Sequence, residues 1–135
     1  LDRQQISHPL RDLVQVASVE ELLAAQQAIK EVYLDPLVKE YVVDLVRETR
    51  EHPDVYLGSS SRGALAIYRL CQARATFLGR DYVLPDDVKA MAVAALAHRI
   101  IVGPAARIKA VSQDAIVTDI LDKVAVPGAQ PAGRR

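Results

Sequence analysis

Tryptophan is absent from this 135-residue chain, and its aromatic complement is five tyrosines and one phenylalanine. With so few rings, a core has to be filled by aliphatic side chains. Alanine, leucine and valine dominate, which suits helices packed closely on one another. The single cysteine, Cys71, excludes an internal disulfide framework and makes a reducing cytoplasmic setting the natural expectation. Net charge of one sign is also lacking: seventeen basic residues face seventeen acidic ones, so the balance points neither to nucleic acid nor to a membrane surface. No apolar run reaches the roughly eighteen residues of a membrane-spanning helix, and no signal-peptide pattern is present. A phosphate loop of the form G-x-x-x-x-G-K-S/T is missing, as is Gly-x-Gly-x-x-Gly after a strand. Nucleotide hydrolysis needs cradled phosphates, a held metal and an oriented water, so this chain alone should be inactive in it. The chain opens on Leu1 in polar text rather than on methionine, and the expectation is a piece of a longer protein.

What is present is helical punctuation. Ser18-Val19-Glu20-Glu21 has the form of a capping box, and Leu22, Leu23, Gln26, Ile29 and Val32 follow at three- and four-residue steps. Asp35-Pro36 opens a second helix with Leu37, Val38, Tyr41, Val42, Leu45 and Val46 on one face, ending before His52-Pro53. Residues 53 to 59 read as a loop. A third helix runs from about Ser61 to Leu78, with Ala64, Ile67, Tyr68, Cys71, Ala75 and Leu78 inward and Gly79 as its C-terminal cap. An extended link over Arg80–Leu84 leads to Pro85-Asp86-Asp87 and a fourth helix with Val88, Met91, Ala92, Ala95 and Leu96 inward. Residues 100 to 111 read as a longer connection. Ser112 caps a last helix with Ile116, Val117, Ile120, Leu121 and Val124 inward. The fold class is all-α, a short bundle of about five helices without a sheet. Residues 1–17 read as a linker, 18–125 as the helical domain and 126–135, rich in proline and glycine, as a flexible tail.

His8, His52 and His98 are far apart, and Cys71 sits alone on an apolar stripe. Zinc wants ligands at close spacing, so core or capping roles suit these four better and no metal site is expected. Glu20-Glu21 and Asp86-Asp87 open helices where the dipole favours carboxylates, which explains them without acid–base chemistry. Arg62 is harder to explain. It stands at the second position of the third helix, where the exposed N–H groups are already positive and a cation costs about 0.3–1 kcal/mol. Either it bends back to an acidic neighbour or something negative meets it there. Arg62, Arg69, Arg74 and Arg80 together form either a solvated face paired with Asp81, Asp86 or Asp87, or a strip facing phosphate. Without aromatic platforms nearby, single-stranded nucleic acid fits poorly.

The ordered segments "REHPDVYLGSSSRGAL", "GRDYVLPDDVKAMA" and "AHRI" resemble the C-terminal helical lid of the MoxR-family AAA+ ATPases. The family pattern reads roughly A-T-R-x-H-P-x-x-x-x-G-A-S-P-R-A, then G-R-x-Y-V-T-P-x-D-V, then H-R. Gly58, Ser60 and Arg62 match the first part, Gly79, Arg80, Tyr82, Val83, Pro85, Asp87 and Val88 the second, and His98-Arg99 the third. The preceding "LLAAQQAIKEVYLDPLVKEYVVDLV" looks like the first two lid helices, so the resemblance spans residues 18 to 125. Ser61 stands where the family has proline, which serine tolerates. Leu84 stands where it has threonine, which removes a side-chain cap worth about 0.5–2 kcal/mol.

The resemblance implies that Arg62 is the sensor-2 arginine, touching the terminal phosphate of ATP. It implies ATP with Mg held by a core domain outside this chain, and a lid that swings about a hinge near residues 10 to 18. The implied partners are that ATPase core, neighbouring subunits of a ring (six in the family) and proteins with von Willebrand factor A domains, with no membrane or nucleic acid. The full-length parent would be a cytoplasmic ATPase that matures or remodels partner proteins, with Arg62 acting on its own or a neighbour's nucleotide. Two other readings stand beside it. One is the lid of a magnesium-chelatase or helicase-related AAA+ ATPase, which shares the "YV-x-P-x-DV" helix start. The other is a non-enzymatic helical module that docks a partner helix.

Overall fold

The computed structural model describes residues 13–128. Expectations for residues 1–12 and 129–135, which include most of the linker, His8 and most of the tail, lie outside the described residues. Helix α1 spans Val19–Glu31, α2 Pro36–Glu51, α3 Ser61–Phe77, α4 Pro85–Leu96, α5 Pro104–Ile108 and α6 Gln113–Lys123. Local chemistry sets most of these ends. Ser18 and Glu21 form the reciprocal capping box, Asp35 Oδ1 accepts from Leu37 N at 2.8 Å, and Ser112 Oγ accepts from Ala115 N at 3.1 Å. Gly79 closes α3 at φ +71°, a left-handed conformation that glycine adopts without steric cost.

Helices α2, α3, α4 and α6 enclose the core. Leu45, Ile67, Cys71, Val88, Leu96, Ile116, Val117 and Ile120 are all buried. Each aliphatic side chain fully removed from water contributes about 1.5–3 kcal/mol, which makes this four-helix contact the main source of cohesion. Leu37 and Leu78, placed inward by the helical period, are exposed at the ends of their stripes. Helix α1 departs further from expectation. It buries no residue, and Leu22 and Leu23 stand 57% and 59% exposed. The four-helix core is filled without it, so α1 lies against α3 and is held through Gln72, whose Nε2 donates to Val32 O at 2.9 Å and Lys30 O at 3.3 Å. Tyr33 then bridges the link after α3, donating to Asp81 O at 2.8 Å and accepting from Val83 N at 2.9 Å.

Two segments read as loops are structured. Strand β1, Val55–Leu57, pairs antiparallel with β2, Ile101–Val102, and Gly103-Pro104 starts α5 rather than continuing a connection. Strands of two and three residues and a five-residue helix are too short to show a period, and the β1–β2 pairing spans more than forty residues. The bundle remains all-α in character, with six α-helices and one small ribbon among the described residues. None of those helices is long and apolar enough to cross a membrane.

Asp87 joins α3 to α4. Its carboxylate is buried and accepts from Arg80 Nη1 and Nη2 at 2.9 and 2.8 Å, faces Arg74 Nε at 3.2 Å, and accepts from Leu84 N at 2.9 Å. Asp87 thus reaches back to the N-cap amide of Leu84, the reciprocal half of a capping box whose other half the leucine side chain does not supply. Burial alone would raise its pKa. The hydrogen bonds from Arg80 and Leu84, with the charges of Arg80 and Arg74, outweigh that and hold it below the ordinary carboxylate value. Removing one partner of a buried ion pair leaves the other uncompensated, so Asp87→Asn should cost about 3 kcal/mol in urea unfolding at neutral pH. A group with a lowered folded pKa contributes its full stability above its unfolded value, about pH 4, and loses it as pH falls through the folded value. The unfolding midpoint of the wild type should therefore fall more than that of Asp87→Asn below pH 4. Parallel acid limbs, or a neutral-pH loss under about 1 kcal/mol, would remove Asp87 from this role.

Candidate functional site

Arg62 occupies the second position of α3. Ser60 is the N-cap, its Oγ accepting from Arg62 N at 3.3 Å while its carbonyl accepts from Gly63 N at 2.8 Å. The guanidinium is exposed and has no hydrogen bond or ion pair to any described residue. Bending back to an acidic neighbour is thus not what this side chain does. Helix α3 contains no carboxylate at all, so both the helix end and the side chain present positive charge outward. Such a corner is suited to an anion, and the planar fork of arginine can grip a phosphate or carboxylate through two N–H groups.

The four arginines of the basic strip separate into two kinds. Arg74 and Arg80 are taken by Asp87, so for them the ion-pair reading holds. Arg62 and Arg69 are exposed, seven residues apart on one outer face, and neither pairs with a described residue. Cys71 is fully buried, and burial first, then the Asp87 charge, push its thiol up to about 12 against a smaller opposing effect of Arg74. It is no nucleophile at neutral pH. His52 is a structural link, with Nε2 2.9 Å from Asp119 Oδ2 on α6 and Nδ1 accepting from Asp54 N at 3.2 Å. His98 is exposed, and no three metal-ligating side chains are grouped among the described residues.

What holds Arg62 in place begins on α2, and the sequence reading missed it. Thr49 Oγ1 accepts from Ser59 N at 2.9 Å, and Arg50 Nε donates to Ser59 O at 2.8 Å. Both backbone polar groups of Ser59, on the two peptide units that flank its Cα, are therefore fixed. The loop lies directly on the helix: a Cβ on Gly58 would come within 2.6 Å of the Thr49 carbonyl oxygen and 2.7 Å of Arg50 Cα. Only glycine permits that approach. One turn into α3, a Cβ on Gly63 would meet Ser59 Oγ at 2.2 Å and Leu96 Cδ2 at 3.0 Å. The available signals were the T-R of the quoted family pattern, which falls on Thr49-Arg50, and Thr49 itself, a polar residue at the stripe position that follows Leu45 and Val46 on α2.

Comparisons with known proteins cover this part of the chain and most of the rest of it. The family described as the AAA lid domain matches residues 47–120, from the end of α2 to within α6. The uncharacterized protein YeaC of Bacillus subtilis is 39% identical over 134 residues, covering 99% of this chain and 42% of that protein. Chaperone MoxR1 of Mycobacterium tuberculosis is 29% identical over 122 residues, covering 84% of this chain and 32% of its own length. A crystal structure from Cytophaga hutchinsonii, provisionally described as an ATPase, superposes with a TM-score of 0.76 at 33% identity, covering 79% of this chain and 35% of that one. This chain thus spans less than half the length of each.

Ser59 and Gly63 fill one space between them, which makes their substitutions interdependent. Gly63→Ala gains helix propensity of up to about 1 kcal/mol but drives its new methyl into Ser59 Oγ, so the single variant should be no more stable than wild type. Adding Ser59→Ala should release the gain, giving a coupling of about 1 kcal/mol or more in a double-mutant cycle read by urea unfolding. Additive effects would show that the two positions do not share that space.

Proposed function

The chain belongs to the AAA lid domain family, as the lid of a MoxR-like AAA+ ATPase, and from that premise we propose that Arg62 is its sensor-2 arginine, meeting the terminal phosphate of ATP held by an ATPase core outside this chain. The observation that carries this reading is an exposed guanidinium at a helix N-terminus with no carboxylate partner among the described residues. The corner fits the group: cation and helix end converge, and the side chain is free to turn toward a neighbouring surface. When bound, ATP with Mg supplies the phosphoryl group that is transferred to water.

The role of the chain is electrostatic. Arg62 offers donors where negative charge develops, in a site closed by two bodies and poor in water. With the anion gone, Arg62 and the positive end of α3 are left facing one another, so the attraction of the lid for the opposite surface weakens. The lid then turns about a hinge near residues 10 to 18, and the linker over 1–17, the lid over 18–125 and the tail over 126–135 divide the chain accordingly. The moving body is the packed unit of α2, α3, α4 and α6. Helix α1 and its approach, with Leu13, Val14, Val16, Val19, Leu22 and Leu23 all exposed, supply apolar surface for the ATPase core or a neighbouring subunit. That surface suits packing against neighbouring subunits, and the resemblance to MoxR proteins supplies the rest of the reading: a cytoplasmic ring of six subunits that remodels or matures partner proteins, those with von Willebrand factor A domains among them.

In the full-length protein, Arg62→Ala should reduce ATP turnover at least about tenfold, corresponding to about 1.4 kcal/mol of transition-state stabilisation. The same substitution should shift unfolding of the lid by under about 0.5 kcal/mol, since the side chain is exposed and makes no hydrogen bond or ion pair to a described residue. Turnover within about twofold of wild type would discard the sensor-2 assignment and favour a lid that acts by docking alone.

A further inference from the structure

We infer that Thr49 and Arg50 are positioning residues for Arg62: from α2 they grip the backbone N–H and the backbone C=O of Ser59 and so set the direction in which α3 presents its free guanidinium. The inference rests on the sensor-2 reading of Arg62 and adds to it the part of the lid that governs it. Thr49 is fully buried at a stripe position where valine would match its shape, so packing alone does not call for a hydroxyl. That hydroxyl gives its one proton to Val46 O at 2.6 Å, which turns its lone pairs toward the incoming Ser59 N–H. Without it, a buried amide would have no partner.

Arg50 completes the grip from the other side, and its Cγ and Cα form the surface on which Gly58 lies. From Ser59 the chain passes directly into the N-cap Ser60, and Arg62 follows two residues later. The Ser60 cap itself is long, at 3.3 Å. The firm restraint on the first turn of α3 is therefore the Ser59 backbone clamped by α2. Arginine fixes phosphate by geometry as well as charge, so a tilt of this turn misplaces the donors without removing them.

The test uses the full-length ATPase, with turnover of ATP and hydrogen exchange at the Ser59–Gly63 amides measured on the same proteins. Thr49→Val and Arg50→Ala should each lose about tenfold in turnover, the order expected for donors displaced by less than an ångström. Thr49→Ser, which keeps the oxygen, should restore most of the activity. The double variant Thr49→Val/Arg62→Ala should be no slower than Arg62→Ala alone, because both substitutions act through one guanidinium. The Ser59 amide should exchange faster in Thr49→Val while amides of α6 stay protected. Full turnover in Thr49→Val and Arg50→Ala beside a slow Arg62→Ala would overturn the positioning role and leave the sensor-2 reading standing. Losses that multiply in the double variant would do the same. An active Arg62→Ala would instead sink both, since nothing would remain to be positioned. Should Thr49→Val fail to fold, Arg50→Ala alters an exposed side chain and decides the matter alone.

Discussion

A buried carboxylate organises the charges of this lid. Asp87 draws in Arg80 through two hydrogen bonds and faces Arg74 at 3.2 Å, so two of the four arginines on or beside α3 are neutralised at one end of the helix. The same contact fixes the C-terminal end of α3 to the start of α4. With no acidic residue of its own, α3 leaves Arg62 and Arg69 unopposed along its outer face. An arginine with a carboxylate in reach would be of little use toward a phosphate, because the ion pair would have to be broken first. The freedom of Arg62 is therefore a consequence of where the acidic residues of the domain are placed.

Those placements were only partly legible in the sequence. Helix starts could be read because capping is local: Ser18 with Glu21, Asp35 with Leu37, and Ser112 with Ala115 each meet their partners within three residues. The stripes of α2, α4 and α6 were legible for the same reason, their spacing being set by the helix itself. Helix α1 shows the limit of that argument. Its apolar period is real, yet periodicity states only that one face seeks cover, and the four-helix core closes without it. The β1–β2 ribbon and α5 escaped because neither is long enough to carry a period.

The site shows the same division. Arg62 stood out locally, as a cation at the wrong end of a helix, and again through the resemblance of its surroundings to a known lid. Asp87 did not stand out, because a favourable dipole explained it equally well. Only the folded chain distinguishes a carboxylate that satisfies a helix end from one that also binds two arginines. Thr49 and Arg50 coincide with the T-R of the quoted pattern, but what they do was less visible still. Their hydrogen bonds cross ten and nine residues to the backbone of a loop whose path depends on a close approach at Gly58.

The two ends of α3 are thus held by different means, and the difference bears on how a lid can move. At its C-terminal end the restraint is ionic and buried, and it fails only as pH falls through the lowered pKa of Asp87. At the N-terminal end it is a pair of hydrogen bonds to the backbone of one residue, Ser59, reinforced by backbone contact. Both restraints tie α3 to neighbours within the four-helix body, and neither involves α1. A rotation of that body therefore carries Arg62 with it at fixed angle, while α1, outside the core and apolar on its open side, is the element whose surroundings can change. On the role proposed for Arg62, a domain built this way would act as a rigid lever, its guanidinium needing no rearrangement of its own, only a change in what stands opposite it.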